Sequence, residues 1–297
     1  MLHRVSGRVR SGPIMPLLMI VVLGLMSPID SLSATRAKKG SKPVPPQAEP
    51  LVEEQIVSTT DKITKPTDTD AEAMRHNDLG VAFVFKGDLG QAVDEFTHAL
   101  RLQENYFAAH LNLANTLLDM GKRDEAISEF KAALQLRPDD LKAHNDLGVA
   151  LKEMGDLTGA IAEFKIVLNH RPFDVNAHNN LGVALKATGD LDGAVAEYRT
   201  AVALQPNDIN AHFNLGLALL EKRDPEAAIG EFRTALHLRP DDAKIRLNLG
   251  DALASQGKRT EAAQEFRQYL RLELDTPMNR RWIEQAEAKL RVLEMPE

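Results

Sequence analysis

The chain has 297 residues, and its 36 basic and 43 acidic side chains give a net charge of −7, which argues against bulk nucleic-acid binding. It has no cysteine, which excludes disulfides, cysteine-ligated zinc or iron–sulfur clusters and thiol catalysis. Aromatic residues make up only 5% of the chain and glycines number 18, so the composition favours a helical protein over a turn-rich β-sandwich or barrel.

The first 33 residues have the pattern of an export signal. Three arginines and no acidic residue precede an apolar run over residues 14–26. Thirteen residues of helix reach about 20 Å, which is short of the ~30 Å hydrocarbon core of a bilayer. We therefore predict a signal peptide over residues 1–33, cleaved after Ser33. The alternative is an uncleaved segment that anchors the protein to the membrane.

Residues 34–70 are predicted to be a disordered linker. They contain several lysines and four prolines between Pro43 and Pro50, and they show neither helical nor alternating apolar periodicity. Such a composition favours extended, solvated chain over a buried core.

A repeat of 34 residues covers the chain from residue 71 to residue 276. A leucine followed by a small residue recurs six times without insertion, at residues 79, 113, 147, 181, 215 and 249. In the same register an aromatic ring recurs: Phe96, Phe130, Phe164, Tyr198, Phe232 and Phe266. Regular self-similarity at this period indicates an array of stacked supersecondary units.

One unit, residues 141–174, predicts two antiparallel helices. Apolar residues at helical spacing continue to Gly155, a typical helix terminator, and a second apolar stripe runs to Pro172. Gly148 and Ala160 are small enough to let the two backbones approach, and the ring of Phe164 is predicted to fill the space between neighbouring units. An acidic residue is predicted to cap the first helix of each of the last four units: Asp140, Asp174, Asp208 and Asp242.

These features resemble the tetratricopeptide repeat family over about 204 residues, 73–276. The resemblance implies a right-handed α-solenoid of six helix-turn-helix repeats, whose concave face, lined by the first helices, binds peptides or proteins. Position four of the unit, often tryptophan in the family, departs from that pattern: it is histidine at residues 76, 110, 144, 178 and 212, and then Arg246. Arg223 replaces the turn glycine in unit five.

Residues 277–297 are predicted to form a capping helix, because the last unit would otherwise expose an apolar face. Trp282, Ile283, Ala286, Leu290 and Leu293 lie on one stripe. We expect Trp282 to pack against the sixth unit, the alternative being a partner-binding aromatic residue.

The candidate binding site is a set of polar residues on the first helices. If the family geometry holds, the residue before each Leu-Gly pair faces the groove: Asp78, Asn112, Asp146, Asn180, Asn214 and Asn248. Further candidates are Asn77, Asn115, Asn145 and Asn179. A carboxamide both donates and accepts, so such a row suits the backbone of an extended peptide. The alternative is that these are solvated helix residues without a ligand.

This row is similar to the repeat arm of the O-linked N-acetylglucosamine transferases. The resemblance covers the repeats only, and we expect no catalytic domain and no enzymatic activity in this chain. The clamp of Lys, Asn and Arg by which a related family holds a terminal carboxylate has no matching arginine here.

We expect no cofactor and no metal site. The position-four histidines lie on helices that stand about 8–10 Å apart, too far to share one zinc ion with ligands at about 2 Å. Partly buried rings packed between first helices are expected instead, with a pH response as a side hypothesis. The sequence thus predicts an exported scaffold that binds a protein or extended peptide. Alternatives are a membrane-tethered assembly factor and a recruiting subunit of an enzyme complex. Oligomeric state is not predicted.

Overall fold

The computed structural model describes residues 68–273, 276 and 279–295, and within these ranges the only regular secondary structure is α-helical. The predicted signal peptide and nearly all of the predicted linker lie outside the described residues. Thirteen helices follow one another in this part of the chain: α1 Asp68–Lys86, α2 Leu89–Leu102, α3 Phe107–Asp119, α4 Arg123–Leu136, α5 Leu141–Met154, α6 Leu157–His170, α7 Val175–Thr188, α8 Leu191–Leu204, α9 Ile209–Glu221, α10 Pro225–Leu238, α11 Ala243–Ser255, α12 Arg259–Leu272 and α13 Arg280–Glu294. None of these helices is long and apolar enough to cross a bilayer.

The first twelve helices form six helix pairs, one in each 34-residue unit. Each helix packs mainly against the helices before and after it in the chain, which is the contact pattern of an α-solenoid. The first helices of neighbouring units also contact one another directly, whereas among the described helices the second helices of neighbouring units contact each other far less. The first helices, α1, α3, α5, α7, α9 and α11, therefore line the inner, concave side of the stack.

Local signals define where the helices begin and end. The carboxylate of Asp140 accepts a hydrogen bond of 2.9 Å from the backbone amide of Ala143, and Gly155 ends α5 in the left-handed conformation with φ 92°. The carboxylates predicted to cap the later first helices do so: Asp140, Asp174, Asp208 and Asp242. In unit five, Arg223 adopts a positive φ of 63°, and Asp224 caps the helix that follows.

The contact between the two helices of a unit, the seam, is made by a glycine and an aromatic ring. A Cβ atom added to Gly148 would lie 2.6 Å from the ring of Phe164, so only glycine fits this spacing without a shift. The ring has no exposed surface, and burying a phenyl ring contributes about 1.5–3 kcal/mol. The same pairing recurs between Gly80 and Phe96, Gly182 and Tyr198, Gly216 and Phe232, and Gly250 and Phe266. The predicted close approach of the two helices is confirmed, and the ring of Phe164, which was predicted to lie between units, contacts the glycine of its own unit.

The last helix, α13, packs against the sixth unit through four of the five predicted residues. Ala286 is fully buried, and Ile283, Leu290 and Leu293 pack against the same core. The prediction for Trp282 is wrong, because 53% of its surface is exposed. It lies in the first turn of the helix, on the side that continues the inner face, rather than over the core.

Candidate partner-binding groove

The predicted groove residues and their neighbours occupy two adjacent positions of each first helix, and the surface that these positions form is here called the inner face. The inner row is Asp78, Asn112, Asp146, Asn180, Asn214 and Asn248, and the flanking row, one residue earlier in each unit, is Asn77, Leu111, Asn145, Asn179, Phe213 and Leu247. Asp78 is exposed, and the other five residues of the inner row are partly exposed.

Asparagines of the two rows are hydrogen-bonded across neighbouring units. The Nδ2 of Asn112 donates to the Oδ1 of Asn77 over 2.9 Å, and the Nδ2 of Asn180 donates to the Oδ1 of Asn145 over 3.1 Å. In both cases an inner-row amide donates to the flanking-row amide of the unit before it. These bonds fix the orientation of the amides, because the donor nitrogen and acceptor oxygen must face each other.

Apart from Asn179, the remaining predicted polar residues bond within their own helix or make no side-chain hydrogen bond in the described part of the chain. Asp146 pairs with Lys142 at 2.6 Å. Asn115 donates to a carbonyl one turn earlier, at 2.9 Å, and Asn248 does so at 2.8 Å. Asn214 makes no hydrogen bond within the described residues.

Units three to five enclose a polar cleft of about 390 Å³, here called the amide cleft. It brings together Asn145, Asn179, Asn180 and Asn214 from the two rows. Asn176, Asp208 and Asn210 also line it; they lie near the beginnings of two first helices and were not predicted. The sequence signal for two of them was an asparagine at the second position of units four and five, Asn176 and Asn210.

Among the described residues that line this cleft, Asn179 carries the one buried side-chain atom without a hydrogen-bond partner. Its Nδ2 donates to the Oδ2 of Asp208 over 3.3 Å, while its Oδ1 is buried and has no hydrogen-bond partner. The equivalent oxygens of Asn77 and Asn145 accept from the next unit. Asn179 therefore presents an acceptor that the rest of the solenoid leaves unused, at a cost of about 1–3 kcal/mol to a folded protein without a ligand.

A second cleft, of about 470 Å³, lies between units five and six and α13, and is here called the apolar cleft. The side chains of Phe213, Leu217, Leu247, Tyr269 and Trp282 line it, together with Asn248 of the inner row. The sequence signal was the flanking row, which changes from asparagine to Phe213 and Leu247 after unit four.

Each position-four histidine contacts a glutamate on the second helix of its own unit. The prediction had placed these rings between neighbouring first helices. In each of five units the ring Nδ1 lies 2.5–2.6 Å from a glutamate Oε2, nineteen residues later in the chain. The pairs are His76 with Glu95, His110 with Glu129, His144 with Glu163, His178 with Glu197, and His212 with Glu231. In unit six Arg246 binds Glu265 at 2.8 Å.

Four of these rings also bond the loop before their helix. The Nε2 of His144 donates to the carbonyl of Pro138 over 2.8 Å, as Arg246 does to the carbonyl of Pro240 over 2.7 Å. A carboxylate and a carbonyl both accept, so both bonds are complete only when both ring nitrogens carry a proton. Arg246 meets the same two acceptors with a permanent charge. The histidines thus fasten loop, first helix and second helix together.

The electrostatic consequence is clearest at His110. Its hydrogen bond to Glu129 raises its pKa above the ordinary 6.5, the carbonyl and charge of Glu104 add to that effect, and burial opposes it. The ring donates to the Glu104 carbonyl over 2.9 Å.

The fold and the inner face together define the class: a helical-repeat solenoid with a concave face built for contacts with another chain. The family model described as "Tetratricopeptide repeat" matches residues 77–140, 111–168 and 213–275, and the one described as "TPR repeat" matches residues 184–222. The first of these alone spans more than half of the chain. The chain belongs to the tetratricopeptide repeat family.

Solved structures of similar fold come from proteins of several kinds. MamA from Desulfovibrio magneticus RS-1 is 22% identical with a TM-score of 0.56, over 60% of this chain and 99% of that one. YrrB, described as a TPR protein with an unusual peptide-binding site, is 20% identical with a TM-score of 0.52, over 65% of this chain and 97% of that one. PilW, a type IV pilus biogenesis factor, is 18% identical with a TM-score of 0.62, over 75% of this chain and 98% of that one. No curated protein matches the sequence significantly. No enzyme family is indicated, and at these identities the likeness establishes the fold.

Proposed function

We propose that this protein is a non-enzymatic, exported scaffold that holds an extended segment of a partner protein along its inner face. The observation that carries the proposal is the buried, unpartnered Oδ1 of Asn179 in the amide cleft. A backbone N–H of a bound strand would satisfy this oxygen.

The surrounding amides suit the rest of a peptide group. The side chain of Asn214 makes no hydrogen bond to another described residue, so its donors and its acceptor are available. Asn180 uses one of its two N–H donors on Asn145. A peptide backbone offers both a donor and an acceptor at each residue, so it matches this mixed set better than a ligand of one charge does. The binding would depend on the backbone of the partner more than on its side chains.

The solenoid favours such binding energetically. The amides lie on rigid helices whose orientations are set by bonds between units, so mainly the partner segment loses conformational freedom.

Export rests on the basic and apolar pattern of residues 1–33, and sequencing the amino terminus of the mature protein tests it: a chain beginning at Ala34 supports cleavage, whereas an intact terminus supports the membrane-anchored alternative.

The sharpest test replaces Asn179 with leucine, the residue found at the same position in units two and six. Asn179→Leu removes the unused acceptor together with the 3.3 Å bond to Asp208, whose carboxylate still caps α9, so we expect the free energy of unfolding to change by less than about 1 kcal/mol. Peptide affinity should fall about tenfold, because a bound N–H loses its acceptor. The probes are 12-residue peptides selected from a random phage-displayed library on the immobilised full-length protein, measured by fluorescence polarisation.

A broader variant combines Asn112→Ala, Asn180→Ala, Asn214→Ala and Asn248→Ala, and circular dichroism checks that it is folded. The matched control replaces three exposed asparagines outside the inner face, Asn105, Asn169 and Asn207, with alanine. The control should bind like the wild type and the inner-face variant should not. Equal binding by a folded inner-face variant would eliminate the proposal.

A further inference from the structure

The apolar cleft has the size and lining of a binding site rather than of a packing defect. Its volume of about 470 Å³ falls within the range of ligand pockets. Phe213 and Leu217 come from α9, Leu247 from α11, Tyr269 from α12 and Trp282 from α13. Four helices therefore contribute apolar side chains to one concavity on the inner face.

Trp282 is the exposed wall of this cleft. An indole with 53% of its surface exposed contributes less to the stability of α13 than a buried ring would, so its position beside an open cleft needs another reason. Tryptophan and tyrosine are enriched among the residues that dominate binding energies at protein interfaces.

The charged groups at the rim are already paired within the protein. Asp251 accepts from Lys289 at 2.5 Å, and Glu273 accepts from Asn279 at 2.6 Å. The ammonium of Lys244 lies 4.9 Å from the centre of the Phe213 ring. A charged occupant would have to displace these partners, whereas an uncharged apolar group would not.

The cleft continues the surface on which the proposed peptide lies. Asn214, which lines the amide cleft, directly follows Phe213, which lines the apolar cleft, and Asn248 lines the apolar cleft as well. Neighbouring helices stand about 8–10 Å apart, and an extended strand advances about 3.3 Å per residue. One unit of the solenoid therefore corresponds to about three residues of bound peptide.

We propose that the apolar cleft binds a single large uncharged side chain, leucine or an aromatic residue, of the partner segment whose backbone the amide cleft holds. This inference rests on the proposed function. The anchor side chain lies about three residues along the peptide from the residues at Asn214.

Trp282 is the only tryptophan of the chain, so its fluorescence reports on this cleft alone. Peptides enriched from the random 12-residue library should share one leucine, phenylalanine or tryptophan at a fixed position. A tryptophan-free peptide of this kind should shift the emission of Trp282, and replacing its anchor residue with alanine should weaken binding at least about tenfold and abolish the shift.

Trp282→Ala, followed with a fluorescently labelled peptide, should weaken binding to a similar degree. The fold should persist, because the indole is half exposed. The matched control is Phe85→Ala, which removes an aromatic side chain that is 87% exposed in the first unit and far along the chain from the cleft; it should bind like the wild type.

The outcomes separate the two proposals. The selected peptides could need Asn179 but share no apolar residue and leave Trp282 emission unchanged. That result would overturn the proposed anchor side chain and keep the proposed function. Peptides that shift Trp282 emission equally in the wild type and in Asn179→Leu would bind the apolar cleft without the amide cleft, and would overturn the proposed function and with it the anchor as proposed. A Trp282 shift that depends on protein concentration without peptide would identify a second copy as the occupant and overturn the anchor. A library that yields no binder would overturn both.

Discussion

The seam between the two helices of a unit and the inner face of the solenoid differ in how strictly they repeat. In the seam an aromatic ring occurs in all six units and packs against a glycine in five of them. These residues are buried. The inner face differs in almost every unit: amide pairs in units one to four, an unused acceptor at Asn179, and apolar residues at the end. Identical packing builds the solenoid, and the variation on it creates distinct clefts.

The largest effect should come from changing the seam itself. Gly216→Val places a branched side chain where even a Cβ would lie 2.5 Å from the Phe232 ring, so we expect a loss of about 3 kcal/mol in the free energy of unfolding, measured with urea. The same change at Gly230, a helical glycine of the same unit with no atom within 4 Å of its Cβ position, should be nearly neutral. Equal losses at both sites would mean that the seam does not limit the size of the side chain.

A smaller effect, a gain in the free energy of unfolding, should come from replacing Tyr198, the one ring of the seam that is not phenylalanine. Its hydroxyl is buried without a partner among the described residues, and burial, with a contribution from Glu221, raises its pKa. Tyr198→Phe removes an unsatisfied group from a site that five other units fill with phenylalanine. We expect a gain of about 1 kcal/mol in urea unfolding.

The reverse change, Phe164→Tyr, is the matched control and should cost about as much. A loss of stability in Tyr198→Phe would show that the hydroxyl has a partner in solution.

The smallest effect concerns the histidine row and pH. The pKa of His110 is raised in the folded protein, so its contribution to stability is complete below about pH 6.5 and is lost as the pH rises through the folded-state value. His110→Arg copies Arg246, which makes the same two bonds without titrating near neutrality. The stability of the variant relative to wild type should therefore increase from pH 6 to pH 8.5, by less than about 1 kcal/mol.

Arg246→His provides the converse control, since it should introduce the same pH dependence into unit six. Curves of stability against pH that run parallel for the wild type and His110→Arg would contradict this assignment.

Most of the fold could be predicted from the sequence because its signals are local. The capping carboxylates such as Asp140 and the terminating Gly155 act within one or two turns of chain, and the 34-residue period repeats these signals in every unit. The glycine and the ring of one seam are sixteen residues apart within a single hairpin. Family resemblance then supplied the arrangement of the units, which the contacts between helices agree with.

The site could be predicted only as a set of positions. Asn179 and Asn145 occupy the same place in the sequence pattern, yet one oxygen accepts from the next unit and the other has no partner. Trp282 fits an apolar stripe in sequence but lies beside a cleft. These outcomes depend on distances between side chains about 34 residues apart or on different helices, and no local pattern encodes such distances.

The sequence by itself therefore determined the helices and their pairing, because backbone geometry and burial act on neighbouring residues. Only the tertiary structure decided which amides bond each other, which acceptor is left for a partner and where the inner face becomes apolar. A hydrogen bond between units requires two side chains to meet within about 3 Å, and stacking alone sets that distance.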